Sequence, residues 1–283
     1  MLKIENLRKN YDDFTLNCSM EVRSGCVTGL IGRNGAGKST TFKAVLNLIR
    51  PDGGSIEIFG KEVSSLLPAD RERLGVVLSD SGFSSYLTVR DITHILKAMY
   101  KKFHLQQFTE QCKKSELPLN KKLKDFSTGM KAKLKILIAL SHEADLLILD
   151  EPTVGLDVIA REEVLGLLRA YMEEDERRTI LISSHISSDL EGFCDDFYMI
   201  NEGSIVMHEE TDRLLDNYAL LKISPQQFEQ LDKRYIKKYE KETYGYRCLT
   251  DEKQFYLENY PEIVVEKGNM DDLMILMIGG REL

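Results

Sequence analysis

No stretch of this 283-residue chain is long and apolar enough to suggest a membrane span. Its longest apolar runs, such as Leu134–Leu140 and Leu146–Leu149, stop well short of the ~20 residues a span requires. The opening Met1-Leu2-Lys3-Ile4-Glu5-Asn6 carries no apolar signal core, so any membrane role is expected to come through a partner. Positive charge is in deficit: 38 Lys and Arg against 46 Asp and Glu leave a net charge of -8, and no global basic field favours nucleic acid. Cysteine is sparse and odd in number. Cys18, Cys26, Cys112, Cys194 and Cys248 have no metal-ligand spacing and read as reduced thiols of a cytosolic protein. Hydrophobic content is not lacking: at 42% it is ample for one large or two modest domains.

What is present is concentrated in G-R-N-G-A-G-K-S-T, residues Gly32, Arg33, Asn34, Gly35, Ala36, Gly37, Lys38, Ser39 and Thr40. The apolar run Val27-Thr28-Gly29-Leu30-Ile31 precedes it, and Thr41–Leu46 behind it reads as a helix. Strand, glycine-rich loop and helix form the context of a phosphate-binding P-loop. The glycines let backbone N–H groups turn inward around phosphates, and the helix adds its positive end. Lys38 is expected to reach the β- and γ-phosphates, and Ser39 to ligand Mg²⁺. A nucleoside triphosphate is the expected ligand.

Further along, Leu146-Leu147-Ile148-Leu149 reads as a strand buried on both faces, and it ends in Asp150-Glu151-Pro152-Thr153. Carboxylates at such a strand end sit at the ligand edge of an open sheet. Asp150 is placed for the Mg²⁺ shell, and Glu151 for orienting or deprotonating a water. Adjacent strand residues point to opposite faces, so a turn must begin here if both are to serve one site. Thr179–Ser183 is the next strand and delivers Ser184-His185, read as a γ-phosphate sensor. Tyr11, between the first two strand candidates, is a candidate base-stacking platform. Thr88-Val89-Arg90-Asp91 has capping-box spacing, and Thr88 to about Leu140 reads as mostly helical. Phe126–Lys131 opens the last helix of that stretch, with Lys131 and Lys133 where the helix dipole disfavours cations unless an anion binds.

Together and in this order, the P-loop, Leu146–Glu151, Gly155-Leu156-Asp157, Ser184-His185 and Ser127–Lys131 resemble an ATP-binding-cassette (ABC) ATPase over roughly Leu2 to Glu210. The S-x-G-M-K wording is similar to bacterial exporter-type cassettes, within them the YtrB-like group. The resemblance implies an α/β fold, the P-loop NTPase ABC-ATPase fold: a RecA-like core with an antiparallel β-subdomain and an α-helical subdomain at about 83–140. Residues 1–210 would form the ATPase domain and 211–283 a small C-terminal α/β appendage. It further implies ATP and Mg²⁺ as cofactors and two cassettes facing head to tail. Lys38, Glu151 and His185 of one chain would then meet Ser127 and Gly129 of the other, with Asp157 acting across the interface and Tyr11 on adenine. The implied partners are a second cassette, identical or not, and separately encoded membrane permease subunits, with the chain peripheral on the cytoplasmic face of the membrane. The implied work is export of a peptide, antibiotic or lipid-like substrate.

The chain departs from the family pattern at Ser79, where a glutamine that touches Mg²⁺ is usual, and at Thr128, a β-branched residue expected at a tight point. Asp80 is a candidate replacement acting through a water. A soluble ABC protein acting on DNA or ribosomes is disfavoured because there is neither a second cassette nor a long coiled coil. A regulatory cassette that binds ATP without turnover is separated from the leading reading by phosphate release. In the tail, Leu220–Ile223, Tyr244–Leu249 and Ile263–Val265 read as strands. Pro225–Leu231, Glu252–Asn259 and Met270–Met277 read as helices, and Lys233–Lys241 as a solvated charge run.

Overall fold

The computed structural model describes residues 1–80 and 82–283; Ser81, within the Ser79–Tyr86 stretch expected to meet a membrane partner, lies outside them. The chain opens with the hairpin β1 (Leu2–Asn10) and β2 (Thr15–Val22), where Leu16, Cys18, Met20 and Val22 alternate inward as a half-buried strand should. β3 (Val27–Ile31) is buried along its whole length and leads through the glycine loop into α1 (Lys38–Val45). β4 (Gly53–Ile58) and the short β5 (Lys61–Glu62) extend the hairpin, and α2 (Pro68–Arg71) precedes β6 (Leu74–Val77).

The helical stretch follows as α3 (Val89–Met99), α4 (Leu105–Lys114) and α5 (Thr128–Leu140). The capping box forms: the Asp91 N–H donates to Thr88 Oγ1 at 3.2 Å, and the Thr88 N–H to Asp91 Oδ2 at 2.8 Å. Val89, Ile92 and Leu96 of α3, Phe108 and Cys112 of α4, and Leu134 of α5 share one small core. Each fully buried side chain of this kind contributes about 1.5–3 kcal/mol.

β7 (Leu146–Leu149), α6 (Val158–Glu174), β8 (Thr179–Ser184), β9 (Asp196–Asn201) and β10 (Ser204–Glu210) complete a ten-stranded sheet of order β5-β4-β1-β2-β10-β9-β3-β8-β7-β6. From β9 to β6 the pairs are parallel, and the β1, β2, β4, β5 wing is antiparallel. Because β3, β6, β7 and β8 run the same way, their carboxyl ends open at one edge. The register sets Ile31 beside Ser184, Leu149 beside Ile182 and Val77 beside Leu149. The residues that follow are thereby neighbours: Gly32 with His185, Asp150 with Ser183, and Ser79 close by.

His142, just after α5, ties the helical stretch to the sheet. Its ring stacks on Tyr100 (centroids 4.0 Å, 11° between planes), and Nε2 lies 3.0 Å from the Leu74 carbonyl, which can only accept. Burial pushes its pKa down, against the pull of that carbonyl. A lowered folded-state pKa means the folded chain binds fewer protons than the unfolded one. The neutral ring therefore contributes stability above the unfolded value of about 6.5, and loses it as pH falls through the lower folded value. Between pH 7 and 5 the thermal midpoint of the wild type should accordingly fall more steeply than that of His142→Phe. Parallel curves would contradict this.

After β10 come α7 (Thr211–Asn217), β11 (Ala219–Ile223), α8 (Pro225–Gln230), β12 (Ile236–Glu242), β13 (Gly245–Thr250), α9 (Lys253–Asn259), β14 (Val264–Glu266) and α10 (Met270–Gly279). The four strands form an antiparallel sheet of order β12-β13-β11-β14, so β11–β14 with α8 and α9 make a split βαβ unit. Much of the Lys233–Lys241 run forms the edge strand β12, with Arg234, Lys237 and Lys241 exposed to solvent as expected. Lys237 pairs with Asp251 at 2.7 Å and Lys238 with Glu282 at 2.7 Å. Charged side chains on an edge discourage further strand pairing. One sheet face carries Leu221, Ile223 and Cys248 against Tyr256 and the aromatic side chains of Phe228 and Tyr246. From the opposite face, Leu220 and Leu249 join Met270, Leu273, Met274 and Leu276 of α10 in one cluster with Leu190, Cys194 and Phe197. The tail thus shares its core with the large sheet.

Candidate functional site

The phosphate loop is shaped by close approaches. Gly37 has φ 117°, and a Cβ there would lie 3.1 Å from Phe14 and Leu16. A Cβ on Gly32 would sit 2.3 Å from the Ile200 carbonyl oxygen. Arg33, Asn34 and Gly35 are exposed at the loop's crest, Ala36 is buried beneath it, and Ser39 and Thr40 are half-buried in the first turn of α1. Lys38 is 4% exposed, and its ammonium donates to the Gly32 carbonyl at 2.7 Å and the Arg33 carbonyl at 3.2 Å. It also meets Glu151 Oε1 at 3.0 Å. The opposite oxygen, Glu151 Oε2, lies 2.8 Å from His185 Nδ1.

The turn required after Asp150 is present. Glu151 has φ 50°, a left-handed conformation that costs a non-glycine residue about 1–3 kcal/mol and is retained where surroundings enforce it. This reversal turns Glu151 toward Lys38 while Asp150, 1% exposed, stays inside. Ser183, which motif reading missed, fixes both residues: its hydroxyl donates to Asp150 Oδ1 at 2.7 Å and accepts the Glu151 N–H at 2.9 Å. Ser183 is recognisable only once β7 and β8 are paired in register. Ser79 donates to Asp150 Oδ2 at 3.1 Å. Asp80 pairs with Lys43 of α1, whose hydrogen bond at 3.0 Å holds its carboxylate below the usual range.

Asp150 receives hydroxyl donors, and among the described residues no Lys or Arg pairs with it. A buried carboxylate in that setting suits a hard cation. Among the described residues no group of three or more His, Cys, Asp or Glu side chains is placed to hold a metal ion by itself.

Ser127 caps α5, its hydroxyl accepting the Met130 N–H at 3.2 Å, and Asp157 caps α6 through the Ala160 N–H at 2.8 Å. With Gly129 and Gly155 they line a separate surface cleft of about 550 Å³. A Cβ on Gly129 would approach Ala160 to 3.1 Å, so glycine lets the two helix starts meet. Thr128 is exposed at the start of α5. One expectation is corrected here. Lys133 is buried and paired with Glu163 at 3.2 Å, so its charge is met from α6, leaving Lys131 exposed. Tyr11 is 48% exposed in the β1–β2 turn, where its N–H donates to the Phe14 carbonyl at 2.7 Å, and Phe14 reaches Gly37.

A glycine loop on β3 and a carboxylate pair on β7, brought to one sheet edge with a histidine from β8, define a P-loop ATPase cassette. Known proteins agree. The sequence profile described as "ABC transporter" matches residues 15–154. The chain is 36% identical to the bacitracin transport ATP-binding protein BcrA of Bacillus licheniformis, covering 76% of this chain and 69% of that protein. It is 36% identical to the lantibiotic transport ATP-binding protein SrtF of Streptococcus pyogenes, covering 75% and 92%. With the ABC transporter ATP-binding protein YtrB of Bacillus subtilis it shares 28% identity over 79% and 77%. A solved structure of an ATP binding subunit of an ABC transporter superposes with a TM-score of 0.67 at 26% identity, over 76% of this chain and 91% of that one. The chain belongs to the ABC transporter family of ATP-binding proteins, and it is an ATPase of the cassette fold. Among the described residues no helix is long and apolar enough to cross a membrane.

Proposed function

We propose that this chain is the motor subunit of an exporter, working as a head-to-tail pair on the cytoplasmic face of the membrane and docked on separate permease subunits. Residues 1–210 act as the ATPase domain and 211–283 as an accessory domain. The observation that carries the reading is the division of the site. Lys38, Glu151 and His185 interlock at one edge, while Ser127, Gly129 and Asp157 line another cleft. A site that needs both groups takes them from two chains.

In this scheme the Gly32–Thr40 loop cradles the phosphates, Lys38 moves from its backbone carbonyls to the β- and γ-phosphates, and Tyr11 covers the base. Ser39 and Asp150 would hold Mg²⁺, which neutralises charge on the phosphate oxygens when bound. Glu151 accepts a proton as water attacks the γ-phosphorus, and the bond to the bridging oxygen breaks to give ADP and phosphate. His185 senses the γ-phosphate from the other Glu151 oxygen. For the permease, an apolar cleft of about 680 Å³ lined by Phe83, Leu96, Met99 and Ile138 offers a docking place. An antibiotic cargo is supported by the printed names of BcrA and SrtF, a bacitracin and a lantibiotic transport ATP-binding protein.

The test is copurification of the tagged chain, expressed with its genomic neighbours, from detergent-solubilised membranes. A stoichiometric multi-span partner that stimulates ATP hydrolysis is the expected result. A chain that partners ribosomes or DNA instead would overturn the reading.

A further inference from the structure

The segment behind His185 is held from outside the cassette. Ser187 is fully buried and starts the short helical turn Ser187–Asp189. Its two donors have one acceptor: Asp271 Oδ1, at 2.9 Å from the Ser187 nitrogen and 2.6 Å from its hydroxyl. Asp271 lies 84 residues away, in the first turn of α10. Its neighbour Asp272 is bound by Arg247 of β13, and Asn269 caps the same turn by accepting the Asp272 N–H at 2.8 Å. The first turn of α10 is therefore fixed to the tail sheet on one side and to the His185 segment on the other. The far end of the segment is clamped too: Asp189 is paired with Arg161 of α6 and accepts from Thr153 at 3.4 Å. His185 itself has a half-buried ring, with Glu151 as its charged partner.

We propose that Asp271 is a positioning residue for His185, setting the path of residues 185–187 so that the imidazole stays aligned on Glu151, and that α10 is the element through which the tail acts on ATP hydrolysis. This rests on the reading of His185 as the γ-phosphate sensor. Without the carboxylate, a buried N–H and hydroxyl lose their acceptor, and the turn must shift to find water or another partner. A displacement of about 1 Å at a positioning group is enough to cost on the order of 10²-fold in rate.

The experiment is single-turnover ATP cleavage by the full chain, in a double-mutant cycle of Asp271→Ala with His185→Ala. Asp271→Ala is expected to lower the cleavage rate about 10- to 100-fold with ATP affinity unchanged. Asp271→Asn, which keeps the Oδ1 acceptor, should restore the rate. In the His185→Ala background, Asp271→Ala should add no further loss, because the residue acts through the histidine. If Asp271→Ala fails to fold, Ser187→Ala, which removes only the hydroxyl donor, takes its place in the cycle. Full cleavage by Asp271→Ala, no rescue by Asn, or additive losses would each overturn the proposal. A wild-type rate in His185→Ala alone would instead overturn the role of His185 on which it rests.

Discussion

Glu151→Gln is expected to lower steady-state ATP turnover by about 10²–10⁴-fold while ATP binding survives. The substitution is almost isosteric. One side-chain oxygen remains to face Lys38 or His185, which sit 3.0 and 2.8 Å from the two carboxylate oxygens. The backbone is unaffected, since its N–H still reaches Ser183 Oγ at 2.9 Å. What disappears is the group able to take a proton from the attacking water. A loss of that size corresponds to about 3–5 kcal/mol of barrier. With hydrolysis stalled, the ATP-bound pair should persist, so gel filtration with ATP and Mg²⁺ should show a stable dimer for Glu151→Gln and a transient one for wild type. Undiminished turnover in the variant would remove Glu151 from the chemistry and leave another group to be found.

The parts of this site that could be read in advance are those whose chemistry is local in sequence. The glycine loop carries its own turn geometry and its own lysine. The run Leu146–Leu149 announces a doubly buried strand, and the two acids at its end follow from that. Strand alternation requires a turn at this point, and one is there, with Glu151 in a left-handed conformation that the sequence does not foretell. Groups set by pairing between distant segments were hidden. Ser183 acquires its meaning only when β8 lies beside β7, because its hydroxyl serves the backbone and side chain of a neighbouring strand. β12 escaped because an edge strand guarded by Lys and Glu has lost the apolar alternation by which strands are read. Asp271 is one acid among 46 until α10 is packed beneath Ser187.

Lys38→Ala should weaken ATP binding by at least about 100-fold, the scale of losing a charge-assisted contact in a shielded site. In the folded chain the ammonium is buried against two backbone carbonyls and Glu151, at 2.7, 3.2 and 3.0 Å. Its removal takes away the cation proposed to meet the terminal phosphates. The truncation also strands Glu151, which would lose its attraction toward the loop and keep only His185. Lys38→Arg is no rescue: a planar guanidinium is too wide to sit between the Gly32 and Arg33 carbonyls, where a compact ammonium fits. Isothermal titration with ATP and with ADP separates the contributions. Because the lysine is assigned to both the β- and γ-phosphates, the loss for ATP should exceed the loss for ADP. Equal losses would confine Lys38 to the β-phosphate, and unchanged affinity for both would mean that the loop binds phosphate through its backbone N–H groups and helix end alone.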